Sequence, residues 1–138
     1  MEGELEACAK KKVLFVCVEN SCRSQMAEGY ARALGKKVLQ AWSAGSKPSG
    51  NVDENAIKTM QEDGIDISGH LSKGLTDLPF MTWDCIVTMG CGDGCPSLPA
   101  KKRLDWDFPD PRSLSPEDFR RVRDDIKSRV RDLIEEAS

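Results

Sequence analysis

The stretch VLFVCVENSCRSQMAEGYARALG, Val13 to Gly35, constrains the fold more than any other part of the chain. It opens on four consecutive apolar residues, Val13, Leu14, Phe15 and Val16. A short unbroken run of this kind suits a strand covered on both faces, as in a parallel sheet, because a strand with one wet face alternates instead. Beyond Cys17 the apolar run breaks. From Ser21 to Leu34 apolar or small residues recur at helical spacing, at Met26, Ala27, Tyr30, Ala31 and Leu34, and Gly35 is a natural stop.

The rest of the chain repeats the alternation. Lys37–Ser43 reads as a second strand, closed by Ala44 and Gly45. Asp53–Asp63 reads as a helix with Ala56, Ile57 and Met60 on its apolar stripe, ended by Gly64. Trp83–Met89 reads as a third strand and Arg103–Trp106 as a weaker fourth. Pro116–Glu136 carries Phe119, Val122, Ile126, Val130, Leu133 and Ile134 at three- and four-residue spacing, the signature of a long amphipathic helix. Strands alternating with helices predict an α/β fold on a parallel sheet. At 138 residues the chain is one domain, residues 11–138, and residues 1–10 read as a flexible N-terminal tail.

In open α/β sheets ligands bind at the C-terminal ends of the strands, and Cys17 stands at such an end. The loop Val18–Arg23 then enters a helix, so its backbone N–H groups and the positive helix end form an anion site. The substrate-binding residues predicted there are Val18, Glu19, Asn20, Ser21, Cys22, Arg23 and Ser24. Arg23 brings a planar fork for two oxyanion oxygens. The same field favours thiolate at Cys17, which makes it the candidate nucleophile. Ser24 is placed to hydrogen-bond the sulfur, and Asn20 to hold the loop through side-chain to backbone bonds.

Cysteine count and charge narrow the class. Lys plus Arg number 20 against 23 Asp plus Glu, a net charge of −3, which gives no electrostatic reason to expect nucleic acid. No apolar run approaches the roughly 20 residues of a membrane span, and MEGELEACAKKK lacks the apolar core of a signal peptide. The expected compartment is the cytoplasm. In a reducing compartment six cysteines point to redox or metal chemistry rather than to a disulfide scaffold. Cys91 and Cys95, in MGCGDGCP after the third strand, open on the same edge as Cys17, on a loop that Gly90, Gly92 and Gly94 make flexible. Asp110, between Pro109 and Pro111 in DFPDP, stands on a stiffened loop after the fourth strand.

VLFVCVENSCRSQMAEGYA resembles the phosphate-binding loop of the low-molecular-weight protein tyrosine phosphatase family, and more closely its arsenate reductase branch. SAGSKP, GIDISGHLSK, DCIVTMGCGDGCP and LDWDFPDP extend the resemblance from about Lys11 to Glu135. It implies a three-layer fold, a four-stranded parallel sheet with helices on both faces. It implies arsenate reduction by a thiol relay, with Cys17 forming the arsenic adduct and Cys91 and Cys95 resolving it. The resulting disulfide would be reduced by an external thiol reductant, thioredoxin by resemblance, with glutaredoxin or a small thiol also open. No tightly bound cofactor is implied. Asp110 matches the family's general acid. The phosphatases carry tyrosines just after this acid, where Arg112 and Ser113 stand here, which favours a small oxyanion over an aromatic ester.

Two other functions fit the same residues. A phosphatase would use Cys17, Arg23 and Asp110 alone on phosphomonoesters. A non-catalytic oxyanion- or zinc-binding module would use Cys91 and Cys95 with Cys85 or His70, though a second close ligand pair is missing. His70 otherwise reads as a loop hydrogen-bonder, Cys85 as a core residue and Cys22 as a packing residue. Trp42, Trp83 and Trp106 read as core or interface, the charges of RRVRDDIKSRVRD as the solvated face of the last helix, and Cys8 carries no assigned role.

Overall fold

The computed structural model describes residues 10–79, 81–90 and 98–138. Four strands form one parallel sheet in the order β2-β1-β3-β4: β1 (Lys11–Cys17), β2 (Leu39–Gly45), β3 (Trp83–Thr88) and β4 (Ala100–Asp105). Helices α1 (Arg23–Leu34), α2 (Glu54–Glu62) and α3 (Pro116–Ala137) connect or follow them, with short 3-10 turns at Leu75–Asp77 and Pro111–Ser113. Of the expected tail, Lys10 is described and is exposed; residues 1–9 lie outside the described residues.

β1 is central, paired with β2 along its whole length and with β3 from Val13 to Val16. Its apolar run is buried because both faces are covered. Val13, Phe15 and Cys17 face a core shared with all three helices, which includes Met26, Tyr30, Met60 and Ile126. Leu14 and Val16 face a second, smaller core with Ala44, Trp83 and Ile86. Leu75 of the first 3-10 turn, together with Leu78, Met81 and Leu98, closes that side. The sheet thus has three long helices on one face and a short helical turn on the other. Trp83 and Trp106 are buried, and Trp42 is half-buried with its ring edge on Trp83 at 5.1 Å.

Most element limits fall within two residues of those read from sequence. β4 is the exception, since it begins at Ala100 rather than Arg103. It is an edge strand whose Lys101, Lys102 and Arg103 are exposed, so nothing apolar marks its start, and charged residues suit an open edge. Among the described residues no helix is long and apolar enough to cross a membrane.

The charged stripe of α3 is not all solvated. Arg120 forks onto Glu62 at 2.9 and 3.0 Å, and Arg123 donates to the Thr59 carbonyl and to Glu62. Lys127 donates to Asp63 at 2.8 Å, and Asp63 also accepts from the Tyr30 hydroxyl at 2.8 Å. These bonds fasten α3 to the end of α2 and tie both to α1. The Lys127 bond, then the Tyr30 bond, hold the Asp63 carboxyl below its ordinary value. A carboxyl depressed in the folded state contributes stability above its unfolded pKa of about 3.9 and loses that contribution as pH falls through the folded value. Asp63→Asn should therefore be less stable than the parent at pH 7. Urea unfolding across a pH series should show that gap closing as pH drops below about 4.

Candidate active site

The site begins where β1 runs out. After Cys17 the chain turns through Val18–Cys22, with Asn20 in the left-handed region at φ 51°, a conformation that asparagine tolerates better than most residues. The outer side of this loop is bonded throughout. The carbonyls of Cys17, Val18, Glu19 and Ser21 accept from the N–H groups of Ser46, Lys47, Ser49 and Asp53 at 2.8 to 3.3 Å. In a planar trans peptide the carbonyl and the following N–H point opposite ways. With the carbonyls turned outward, the amides turn inward, into a cavity of about 150 Å³ lined by Cys17, Val18, Glu19, Ser21, Cys22, Arg23, Asp110 and Arg112. The cavity is the nest of donors expected for a tetrahedral anion.

The helix that follows adds its own donors. Asp53 caps α2 and Ser115 caps α3, whereas α1 starts at Cys22 with no side-chain cap and no acid in its first turn. Its first N–H groups are left for a ligand.

Asn20 is the organising side chain. Its Oδ1 accepts from Lys73 N at 2.8 Å and from Gln25 Nε2 at 2.9 Å, and its Nδ2 donates to Ser24 Oγ at 2.8 Å. Ser24 Oγ in turn lies 2.8 Å from Cys17 Sγ. Having accepted from Asn20, the hydroxyl keeps its one proton to direct at the sulfur. The bonds expected of Asn20 and Ser24 are present, although those of Asn20 run mainly to side chains.

Arg23 is nearly buried, and its Nη1 donates to the Phe108 carbonyl at 3.1 Å. Gly90, at φ 84°, lies against the guanidinium, and a Cβ there would run into Nη1. Cys22 is buried, and burial first, then Asp53 and Asp110, push its thiol far above its ordinary value. It stays protonated, which suits packing rather than attack.

Asp110 reaches the cavity from the loop after β4, where it also starts the turn Pro111–Ser113. It accepts a forked pair from Arg112, whose other arm meets Glu19 at 2.6 Å. The Arg112 side-chain bond is the main cause that holds the Asp110 carboxyl below its ordinary value.

Sequence patterning misses several supports of this site. Gln25 is fully buried, and its Nε2 donates to the carbonyls of Asn20 and Leu71 as well as to Asn20 Oδ1. His70 donates from Nδ1 to Gln25 Oε1 at 3.0 Å, and burial holds its imidazole below its ordinary value. It is the loop hydrogen-bonder expected of it. Glu28, also buried, accepts from Ser43 and from Arg32. Cys85 is buried in mid-strand on β3. Among the described residues no three metal-ligating side chains come together. The expected resolving thiols Cys91 and Cys95 lie outside the described residues.

Gly45 shows how little room the loop has. A Cβ there would stand 2.5 Å from the Val18 carbonyl and 2.8 Å from Asn20 N. Gly45→Ala must push the loop out of register. Phosphate, as a tetrahedral probe, should raise the melting temperature of the parent protein in a concentration-dependent way. That shift should fall below half its parental size in Gly45→Ala, read by differential scanning fluorimetry.

Three comparisons bear on this geometry. The family model for low molecular weight phosphotyrosine protein phosphatase matches residues 12–138. The chain is 42% identical over 131 residues to the glutaredoxin arsenate reductase of Synechocystis sp., covering 93% of this chain and 99% of that protein. Among solved structures, an arsenate reductase in the phosphate binding state is similar at a TM-score of 0.83 and 42% identity, over 93% of this chain and 99% of that one. The thioredoxin-dependent arsenate reductase of Corynebacterium glutamicum is similar at a TM-score of 0.79 and 32% identity, over 99% of this chain and 65% of that one.

Proposed function

The chain belongs to the low molecular weight phosphotyrosine protein phosphatase family, and from its likeness to that family's arsenate reductases we propose that it reduces arsenate to arsenite. The observation that carries the reading is the position of Gly90. Gly90, which precedes Cys91 in the sequence, lies against the Arg23 guanidinium, and Arg23 lines the cavity that holds Cys17.

Cys17 attacks arsenic while the loop amides, the α1 terminus and Arg23 balance the charge on the oxygens. Cys91 then attacks Cys17 Sγ. The sulfur–arsenic bond breaks, its electron pair goes to arsenic, As(V) becomes As(III), and arsenite leaves. Cys95 attacks the Cys17–Cys91 disulfide, which frees Cys17 and leaves Cys91–Cys95 for an external dithiol. The three residues between them require a sharply bent loop. Thioredoxin or a glutaredoxin supplies the electrons, since relatives carry both names, and no tightly bound cofactor is needed. The cytoplasm, where thiols stay reduced, is the matching compartment.

Phosphomonoester hydrolysis is the family background and needs only Cys17, Arg23 and Asp110. The Arg112 fork on Asp110 works against it. Arsenite release, followed with thioredoxin or glutaredoxin and their reductases, separates the roles. The parent should turn over continuously with one of the two donors. Cys17→Ser and Cys91→Ser should release no arsenite, and Cys95→Ser should stop after about one equivalent per chain. Sustained turnover by Cys91→Ser would overturn the relay.

A further inference from the structure

Asp110 has no free oxygen for a proton. Oδ1 accepts from the Arg112 backbone N–H and from Nε, both at 3.1 Å. Oδ2 accepts from Nε at 3.1 Å and from Nη2 at 2.6 Å. The remaining arm, Nη1, is held by Glu19 at 2.6 Å. Arg112 thus spans the cavity mouth from the β4 loop to the β1 loop, and both it and Asp110 line the cavity with Cys17. The side chains are about a third exposed.

We propose that Arg112 is a specificity-determining residue: its fork keeps Asp110 a hydrogen-bond acceptor and so turns a site with the parts of a phosphoester hydrolase towards bare tetrahedral oxyanions. The inference rests on Cys17 being the nucleophile of the reading above. The chemical distinction lies in where the leaving group finds its proton. An aryl phosphate dianion carries none, so the departing oxygen must take one from a general acid, and Asp110 is the acid in reach. Placing a proton on Asp110 means breaking an Arg112 bond. The dihydrogen arsenate monoanion carries two protons of its own. When the Cys17 thiolate attacks, a sulfur–arsenic bond forms, one arsenic–oxygen bond breaks, and that oxygen leaves with both protons as water. One thiolate and one arsenate monoanion thus give a cysteine-bound arsenate dianion and one water, with arsenic still As(V). No acid is consumed, and an ionised Asp110 costs this step nothing.

Arg112 acts through Asp110 on proton supply, so it is a positioning residue and a pH profile reads its role. The test measures p-nitrophenyl phosphate hydrolysis from pH 4.5 to 8 and arsenite release on the same full-length preparations, with folding checked by circular dichroism. In the parent, hydrolysis should be weak and confined to the acid end, because Asp110 gives up its proton at low pH. Arg112→Gln should raise hydrolysis near pH 6 by roughly tenfold, a fraction of what a general acid contributes. Its descending limb should move to higher pH, and the ratio of hydrolysis to arsenite release should rise. Arg112→Lys, which keeps the charge without the fork, should fall between the two. The gain should vanish in the double variant Asp110→Asn/Arg112→Gln. Hydrolysis that falls at every pH in Arg112→Gln with the limb unmoved would make Arg112 a plain oxyanion contact and overturn the proposal. So would absence of hydrolysis in every variant, or a gain that survives Asp110→Asn. Arsenite release by the parent tests the reductase reading separately, because the limb shift does not depend on it.

Discussion

The site depends on which way one loop's peptide planes face. Four carbonyls between Cys17 and Ser21 are bonded outward to the segment Ser46–Asp53, and this fixes the inward direction of the amides. Without those bonds the loop could rotate its peptides and present oxygen rather than nitrogen to an anion. Gly45, just before that segment, leaves no room for a Cβ against the Val18 carbonyl and Asn20 N, and its lack of a side chain lets β2 and the loop meet. The left-handed turn at Asn20 and the bonds from its side chain complete the same arrangement from within. The binding energy of the cavity is therefore built before any ligand arrives, as electrostatic preorganisation requires.

The position of Arg23 traces back to the sheet. Phe15 of β1 packs on Trp106 at 5.9 Å, and Trp106 on Phe108 at 6.3 Å, edge to face. The Phe108 carbonyl then accepts from the Arg23 guanidinium. A line of aromatic rings thus runs from the core to the arm of the arginine, and Gly90 packs against that same arm. Rigid packing transmits the position of the strand to the charge, while the Arg112 fork links the loops on the opposite rim.

Much of this was legible in the sequence, for identifiable reasons. An unbroken apolar run such as Val13–Val16 has few interpretations, and a cysteine, arginine and serine between strand and helix have fewer still. The Ser24–Cys17 contact followed from local spacing, because the partners stand seven residues apart at the two ends of one loop. Gln25 and Glu28 were not legible, because their partners are far apart in the chain: Gln25 meets Leu71 and His70, and Glu28 meets Ser43. A polar residue buried by distant contacts looks like any solvated helix residue until the fold closes over it. The start of β4 was hidden for the opposite reason, since exposure at a sheet edge removes the apolar signal. In the sequence Arg112 stands out only as a departure from the family pattern. Its fork on Asp110 is short in sequence, but its reach to Glu19 depends on how two loops meet.

The donors that the cavity around Cys17 offers an anion are the inward main-chain N–H groups of its loop and the Arg23 guanidinium. Such donors measure size, tetrahedral shape and negative charge, and phosphate and arsenate offer nearly the same values of each. Recognition at this step is therefore blind to the element at the centre of the anion. Discrimination must be kinetic rather than thermodynamic: either oxyanion can occupy the nest, but only arsenic can accept an electron pair from a sulfur–sulfur exchange and leave reduced. Where both anions are present, phosphate would therefore compete with arsenate as a reversible occupant of the nest, and the rate of reduction would follow the ratio of the two rather than the amount of arsenate alone.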